Sequence, residues 1–185
     1  MKKLILPAVM VLVIISCAVP VYAGQWYVGG GLNMVNLGGD LDGIDSGQGI
    51  ALNFGYYFQP NFSLDFLLGS SSHSDIYGDD STYTRFDIAA QFAFGPPEGV
   101  VPYLGVGLGS HDVDYDNFPD SFTGTSLFLS GGLDFYITPG HSVDFGLRLH
   151  AWDIDVESGS VIFTNVGDAT TTVISVLYNY HFLIM

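Results

Sequence analysis

Three carboxylates at alternate positions, Asp112, Asp114 and Asp116, stand out in the segment HDVDYDNFPD. Hard divalent cations take oxygen ligands, so such a run could hold calcium. A twelve-residue calcium loop beginning at Asp112 would need glycine where Asn117 stands and a bidentate glutamate where Thr123 stands. The run therefore reads as a weak divalent-cation loop, with a solvated acidic loop as the simpler expectation. The five histidines, His73, His111, His141, His150 and His181, are the other groups with chemistry near neutral pH. His141 precedes Ser142 directly, and His150 precedes Ala151 and Trp152. Neither spacing supplies a nucleophile, a base and an orienting third group. The only cysteine is Cys17, so thiolate catalysis and cysteine zinc sites are not expected. No catalytic residue, metal ligand set or cofactor is assigned, and the protein is not expected to be an enzyme.

The cations are as informative as the acids. The chain has four Lys and Arg against 19 Asp and Glu, a net charge of −15. Lys2 and Lys3 open an apolar run from Leu4 to Ala18, followed by Pro20 and Val21-Tyr22-Ala23. This is the layout of an export signal over residues 1–23, with cleavage expected after Ala23. The stretch Ile14-Ile15-Ser16-Cys17 offers an alternative, a lipidated Cys17. Loss of Lys2 and Lys3 takes the net charge to −17 and leaves Arg85 and Arg148 as the only Lys or Arg residues. A surface without a basic patch does not suit nucleic acid. Yet only 12% of residues are charged and 48% are hydrophobic. A soluble domain carries roughly a quarter charged residues.

The elements that must position these groups are strands. Apolar residues recur with period two in segments 25–36, 48–58, 62–71, 82–94, 101–110, 124–137, 141–153 and 169–182. Short turns at 59–61, 95–99 and 138–140 alternate with longer segments at 37–47, 72–81, 111–123 and 154–168. This describes an all-β, eight-stranded antiparallel up-and-down meander over residues 24–185. Sorted by parity, one face of each strand is apolar and uncharged, as in Phe86, Ile88, Ala90 and Phe92. The other is small, polar and sparsely charged, as in Arg85, Asp87, Ala89 and Gln91. An outward face in water would carry long solvating side chains. Gly, Ala, Ser and Asn instead suit the crowded interior of a narrow barrel. Aromatics at the short-turn end (Trp26, Phe58, Phe62, Phe94, Phe135 and Phe182) suit a membrane interface. The barrel is therefore expected to be inside out, with its apolar face in lipid.

That arrangement sends Arg85, Arg148, Asp65, Asp87, Asp134 and Asp144 into the interior, where charges must pair. Folding about 138–140 sets Asp134 opposite Asp144, and Asp65 should lie near Asp87 with Arg85 one pleat away. Loss of Arg85 is expected to cost about 3–5 kcal/mol. His150 is a further partner for the surplus carboxylates. Tyr27, Tyr57, Phe128 and Tyr136 should plug the interior, so no wide pore is expected. Fourteen of the remaining acids fall in or beside the four longer segments and should form an acidic extracellular crown.

The segments WYVGGGLN, PYLGVGLGS and VDFGLRLHAWD resemble the small bacterial outer-membrane β-barrel family of opacity-like porins and OmpA- or OmpX-type barrels. The resemblance implies a bacterial outer-membrane location. It also implies that SVLYNYHF is the signal read by the barrel-assembly machinery, with Tyr180 and Phe182 as its aromatics. Implied partners are outer-membrane lipid and lipopolysaccharide, with periplasmic chaperones during biogenesis; a monomer is expected. Family membership fixes no single activity. The expected role is structural or surface interaction through the acidic loops. The alternatives are a lipid-modifying enzyme resembling the lipid A deacylase type, whose His-x-Ser pair is replaced here by His150-Ala151-Trp152, and a soluble or lipid-anchored periplasmic barrel that binds a small apolar ligand.

Overall fold

A computed structural model describes residues 24–74, 80–115, 120–158 and 161–182. The expected export signal, Cys17, Asp75, Asp79 and Asp116 lie outside the described residues. Eight strands follow one another: β1 Gln25–Gly39, β2 Gly47–Gln59, β3 Phe62–Ser74, β4 Asp80–Ala93, β5 Val100–Tyr115, β6 Asp120–Thr138, β7 His141–Ser158 and β8 Val161–Phe182. Each pairs antiparallel with its sequence neighbours, and β8 closes on β1 from Trp26↔Phe182 to Gly39↔Ala169. Closure leaves no edge strand for the lipid to meet, which a spanning sheet requires. The protein is an eight-stranded, all-antiparallel up-and-down barrel.

The parity expected from the sequence sets the two faces. Leu32, Ile50, Leu127 and Leu129 are each at least 63% exposed, whereas Asp87 and Leu67 are fully buried. On β8 the outward apolar residues run from Ile174 to Phe182. That length fits the roughly 9–11 residues a tilted strand needs to cross a bilayer. Trp26, Phe54, Tyr56, Phe58 and Phe62 form a chain of ring contacts across β1, β2 and β3 at the short-turn end.

The interior is tight because large rings face glycines. A Cβ at Gly55 would lie 2.1 Å from the Tyr27 ring, and one at Gly107 would lie 2.4 Å from the Phe128 ring. This explains the glycines of PYLGVGLGS at Gly105, Gly107 and Gly109: their missing side chains make room for residues from facing strands.

The strands depart from expectation in length. β5 runs to Tyr115, β6 starts at Asp120, β7 runs to Ser158 and β8 starts at Val161. Much of what read as acidic loop is strand. The alternation there keeps its parity but reverses its polarity. Low on β5, Leu104, Val106 and Leu108 point out and are exposed. Higher on the same strand, His111 and Val113 point in and are buried, while Asp114 is exposed on the outer face. On β7, Leu147 and Leu149 are exposed around buried Arg148, but Trp152 and Ile154 are buried above them. Lipid surrounds the lower stretch and water the upper one, so the apolar face changes sides at the boundary.

Candidate functional site

The interior falls into three levels along the barrel axis. At the short-turn end, the hydroxyls of Tyr57 and Tyr136 lie 3.3 Å apart. His181 packs against Tyr27, Tyr57 and Tyr136, and its Nε2 lies 2.9 Å from Ser142 Oγ.

The charged groups fill the middle level. Arg148 donates from Nη2 to Asp65 Oδ2 at 2.6 Å and from Nη1 to Asp87 Oδ2 at 3.1 Å. Its guanidinium carbon sits 5.5 Å from the centre of the Phe128 ring. Tyr27 donates its hydroxyl to Asp65 Oδ1 at 2.6 Å. Asp65 is thus bound by both a cation and a phenol and ties β1, β3 and β7, and Arg148 extends the link to β4 through Asp87. Arg85 is placed differently. Its Nε is 3.6 Å from Asp87 Oδ2, and none of its three nitrogens has a hydrogen-bond partner among the described residues. Asp134 and Asp144 are direct cross-strand partners on β6 and β7. Ser142 donates to Asp134 at 3.3 Å, and the Tyr103 hydroxyl and Asp144 Oδ1 both lie against Gly146. The six charged residues therefore form two groups. Arg148 with Asp65 and Asp87 makes a compact ion cluster that Arg85 borders, and Asp134 with Asp144 makes a cross-strand carboxylate pair.

A second constellation adjoins the first and was not legible in the sequence. Ser126 Oγ lies 2.7 Å from His111 Nε2 and 3.1 Å from His150 Nδ1. His150 Nε2 lies 3.9 Å from Asp87 Oδ2, and Tyr83 hydroxyl contacts His111 Nδ1. Serine, histidine and aspartate thus come from β6, β7 and β4, more than 20 residues apart, so no local motif could reveal them. Their chemistry is limited by space. Ser126, His111, His150 and Asp87 are all at least 96% buried. A Cβ at Gly109 would already fall 2.7 Å from Ser126 Oγ and 2.8 Å from Asp87 Oδ1. A nucleophile needs room for the acyl carbon beside it and for an oxyanion opposite its donors. Around Ser126 the packing is close.

The upper level is apolar. Val35, Leu37, Tyr83, Val113, Trp152, Ile154, Ala169 and Val173 pack together inside the barrel, and Leu41 and Ile44 from the β1–β2 loop close over them. Trp152 donates its indole N–H to Thr171 Oγ1 at 3.0 Å, and its ring stacks on His111. Segments 111–123 and 154–168 look like loops in sequence because their acids interrupt the alternation, whereas in the structure they carry part of this apolar plug. The pattern that could have revealed it is the period-two set Val113, Tyr115 and Trp152, Ile154, Val156.

The expected acidic crown is in large part an acidic outer wall. Asp40, Asp42, Asp45, Asp80, Asp114 and Asp168 are exposed at the long-loop end. Asp112 and Asp114 lie on the outer face of β5, opposite Thr84 and Thr82 of β4. Asp116 is outside the described residues. Asp45 and Asp80, with Ser46, Ser72, His73, Ser74 and Thr82, line an open polar cleft of about 500 Å3. No group of three potential metal ligands occurs among the described residues. The only described Lys or Arg side chains are Arg85 and Arg148, both at least 95% buried. Tyr180 and Phe182 stand on the lipid face of β8, their rings 4.8 Å apart and edge to face.

Residues 9–182 match the outer membrane protein beta-barrel domain family, and the chain belongs to that family. It is a protein of the bacterial outer membrane. The fold is similar to OprG of Pseudomonas aeruginosa, at 14% identity and a TM-score of 0.62, covering 88% of this chain and 97% of that one. Neisserial surface protein A aligns at 19% identity and a TM-score of 0.61, covering 85% and 97% of the two chains. Ail, the attachment invasion locus protein of Yersinia pestis, solved with the heparin analogue sucrose octasulfate, aligns at 17% identity and a TM-score of 0.60, covering 87% and 100%. No curated protein aligns significantly with the chain.

Proposed function

We propose that the protein is a sealed outer-membrane scaffold that acts at the cell surface through the acidic extracellular ends of its strands. The observation that carries this reading is the interior itself. Aromatic, ion-paired and apolar levels succeed one another along the axis and leave no wide aqueous path. What remains available to other molecules is the outer wall and the rim. Outer-membrane lipid and lipopolysaccharide are the immediate partners. With no exposed Lys or Arg among the described residues, lipid phosphates meet this wall through shared divalent cations rather than directly. Residues 1–23 serve as the export signal, and Tyr180 and Phe182 present the C-terminal strand to the assembly machinery and its chaperones. The protein works as a monomer, without a cofactor and without nucleic acid. The sulfated ligand in the Ail structure is not carried over, because a polyanion needs surface cations that this wall lacks.

The second reading is a lipid-modifying enzyme, favoured by the contact of Ser126 with His150 beside Asp87. The closed packing around Ser126 counts against it. Two experiments test the proposal. Single-protein recordings in planar bilayers should show no large steady conductance, and a reproducible wide pore would overturn the sealed scaffold. Mass spectrometry of lipid A from cells overproducing the protein should show an unaltered profile. A shifted profile that Ser126→Ala abolishes would replace the scaffold with the enzyme.

A further inference from the structure

The apolar plug does not end where the barrel wall at β1 and β2 ends. Tyr83, Val113, Phe122, Val156 and Phe163 are successive cross-strand partners from β4 to β8, all on the inner face. Along this rung burial falls away steadily. Tyr83 and Val113 are fully buried, Phe122 and Val156 are half-buried, and Phe163 is 54% exposed. Tyr115 meets Phe122 edge to face, with centroids 5.8 Å apart, and extends the same surface. The opposite side is lower. β1 stops at Gly39, and its loop to β2 turns inward with Leu41 and Ile44 buried in the plug. The inner face of the β5–β8 wall therefore continues past the plug as a partly exposed apolar surface, and Asp42 and Asp45 are exposed in the loop that closes the plug.

An exposed aromatic face beyond the lipid is uncommon on a solvated surface and marks a contact site. Its surroundings select the occupant. The exposed charges described at this end are carboxylates, and the chain beyond residue 23 has no lysine. A second copy would bring the same negative charge and be repelled. A neutral apolar molecule would use the rings but not the acids. A segment with Lys or Arg beside apolar side chains satisfies both, the apolar groups on the rung and the cations on the carboxylates. We propose that the inner face of the β5–β8 wall, centred on Phe122, Val156 and Phe163, is a docking surface for a cationic amphipathic polypeptide segment. The proposal rests on the surface-acting reading above and names the partner chemistry of that surface.

The test uses the full-length protein extracted from outer membranes and held in phosphatidylcholine nanodiscs. The probe is a synthetic twelve-residue peptide alternating Lys with Leu and Phe, followed by fluorescence anisotropy, with a Glu-for-Lys peptide as control. Saturable binding of the Lys peptide alone is expected. Phe163→Ser should weaken it about tenfold, since a half-exposed ring is a central anchor. Asp42→Asn with Asp45→Asn should weaken it several-fold and flatten its salt dependence. Equal binding to Phe163→Ser would mean adsorption by charge alone and would overturn the proposal. So would saturable binding of a neutral hydrophobic dye that the Lys peptide cannot displace. A separate readout guards the underlying reading. In Phe163→Cys, an impermeant maleimide should label intact cells over a wild-type background. A folded, outer-membrane protein that stays unlabelled would sink the surface reading and the docking site together. Labelling without peptide binding would sink the docking site alone.

Discussion

The middle and upper levels of the interior solve the same problem by opposite means. Both fill a barrel too narrow for anything but side chains. The middle level uses charges: Arg148 is held by Asp65 and Asp87 at 2.6 and 3.1 Å. The upper level uses Val, Leu, Ile, Tyr and Trp packed as in a soluble core. The difference follows the surroundings. Where lipid covers the outside, apolar residues are committed to the outer face, and the inner face takes the polar ones. Where water covers the outside, the inner face is the only place to bury apolar surface, and the strand behaves like one from a water-soluble sheet. One barrel thus contains an inside-out half and an ordinary half on the same strands, with one register irregularity in the upper half, between β7 and β8 at Ile154 and Val156.

The comparison can be broken most sharply at Arg148. Arg148→Ala leaves Asp65 and Asp87 facing each other without their shared cation. The unfolding midpoint in detergent should fall by the equivalent of about 3–5 kcal/mol. An unchanged midpoint would mean that the middle level is not held by this cluster. Trp152→Ala should come next, at about 3 kcal/mol, through the cavity left in the plug and the lost bond to Thr171. This loss should appear as protease sensitivity of the extracellular ends of the strands while the heat-shifted gel band of the folded barrel persists. Loss of that band would show that the two halves do not behave separately. Arg85→Met should cost about 1 kcal/mol or less, because Asp87 keeps Arg148 and the removed guanidinium makes no hydrogen bond to the described protein. The sequence alone leads to an expected loss of about 3–5 kcal/mol at Arg85; the hydrogen bonds of Arg148 favour that residue instead, and measuring both variants decides between them. Smallest of all, Asp112→Asn with Asp114→Asn should change stability by no more than about 0.5 kcal/mol. Isothermal titration of calcium against this variant and the parent should give indistinguishable traces. A calcium signal lost in the variant would restore the cation site that the acidic run suggested.

The strand count, the meander, the lipid face and the inward placement of both arginines were legible because period-two alternation is local and closure follows from it. Asp134 and Asp144 could be set opposite each other from the short turn between them. Three features were not legible. The upper extensions resemble loops in sequence because Asp112 and Asp114 break an apolar pattern when the outer face is expected to be greasy throughout. The contact of Ser126 with His111 and His150 depends on pairing β5, β6 and β7 at one exact height. The division of Arg148 from Arg85 depends on which guanidinium reaches across the barrel, and parity places both inward without distinguishing them.

Alternation, composition and the scarcity of cations by themselves determined that this chain closes into an inside-out barrel in the outer membrane. Those properties concern single strands and the medium on either side of them, so they can be read one segment at a time. The tertiary structure decided where the polarity reverses, which arginine carries the ion cluster, that a serine and two histidines meet in a closely packed interior, and that an aromatic rung emerges at the mouth. Each of those depends on the height at which residues from different strands meet across a closed interior, and only the assembled register sets that height.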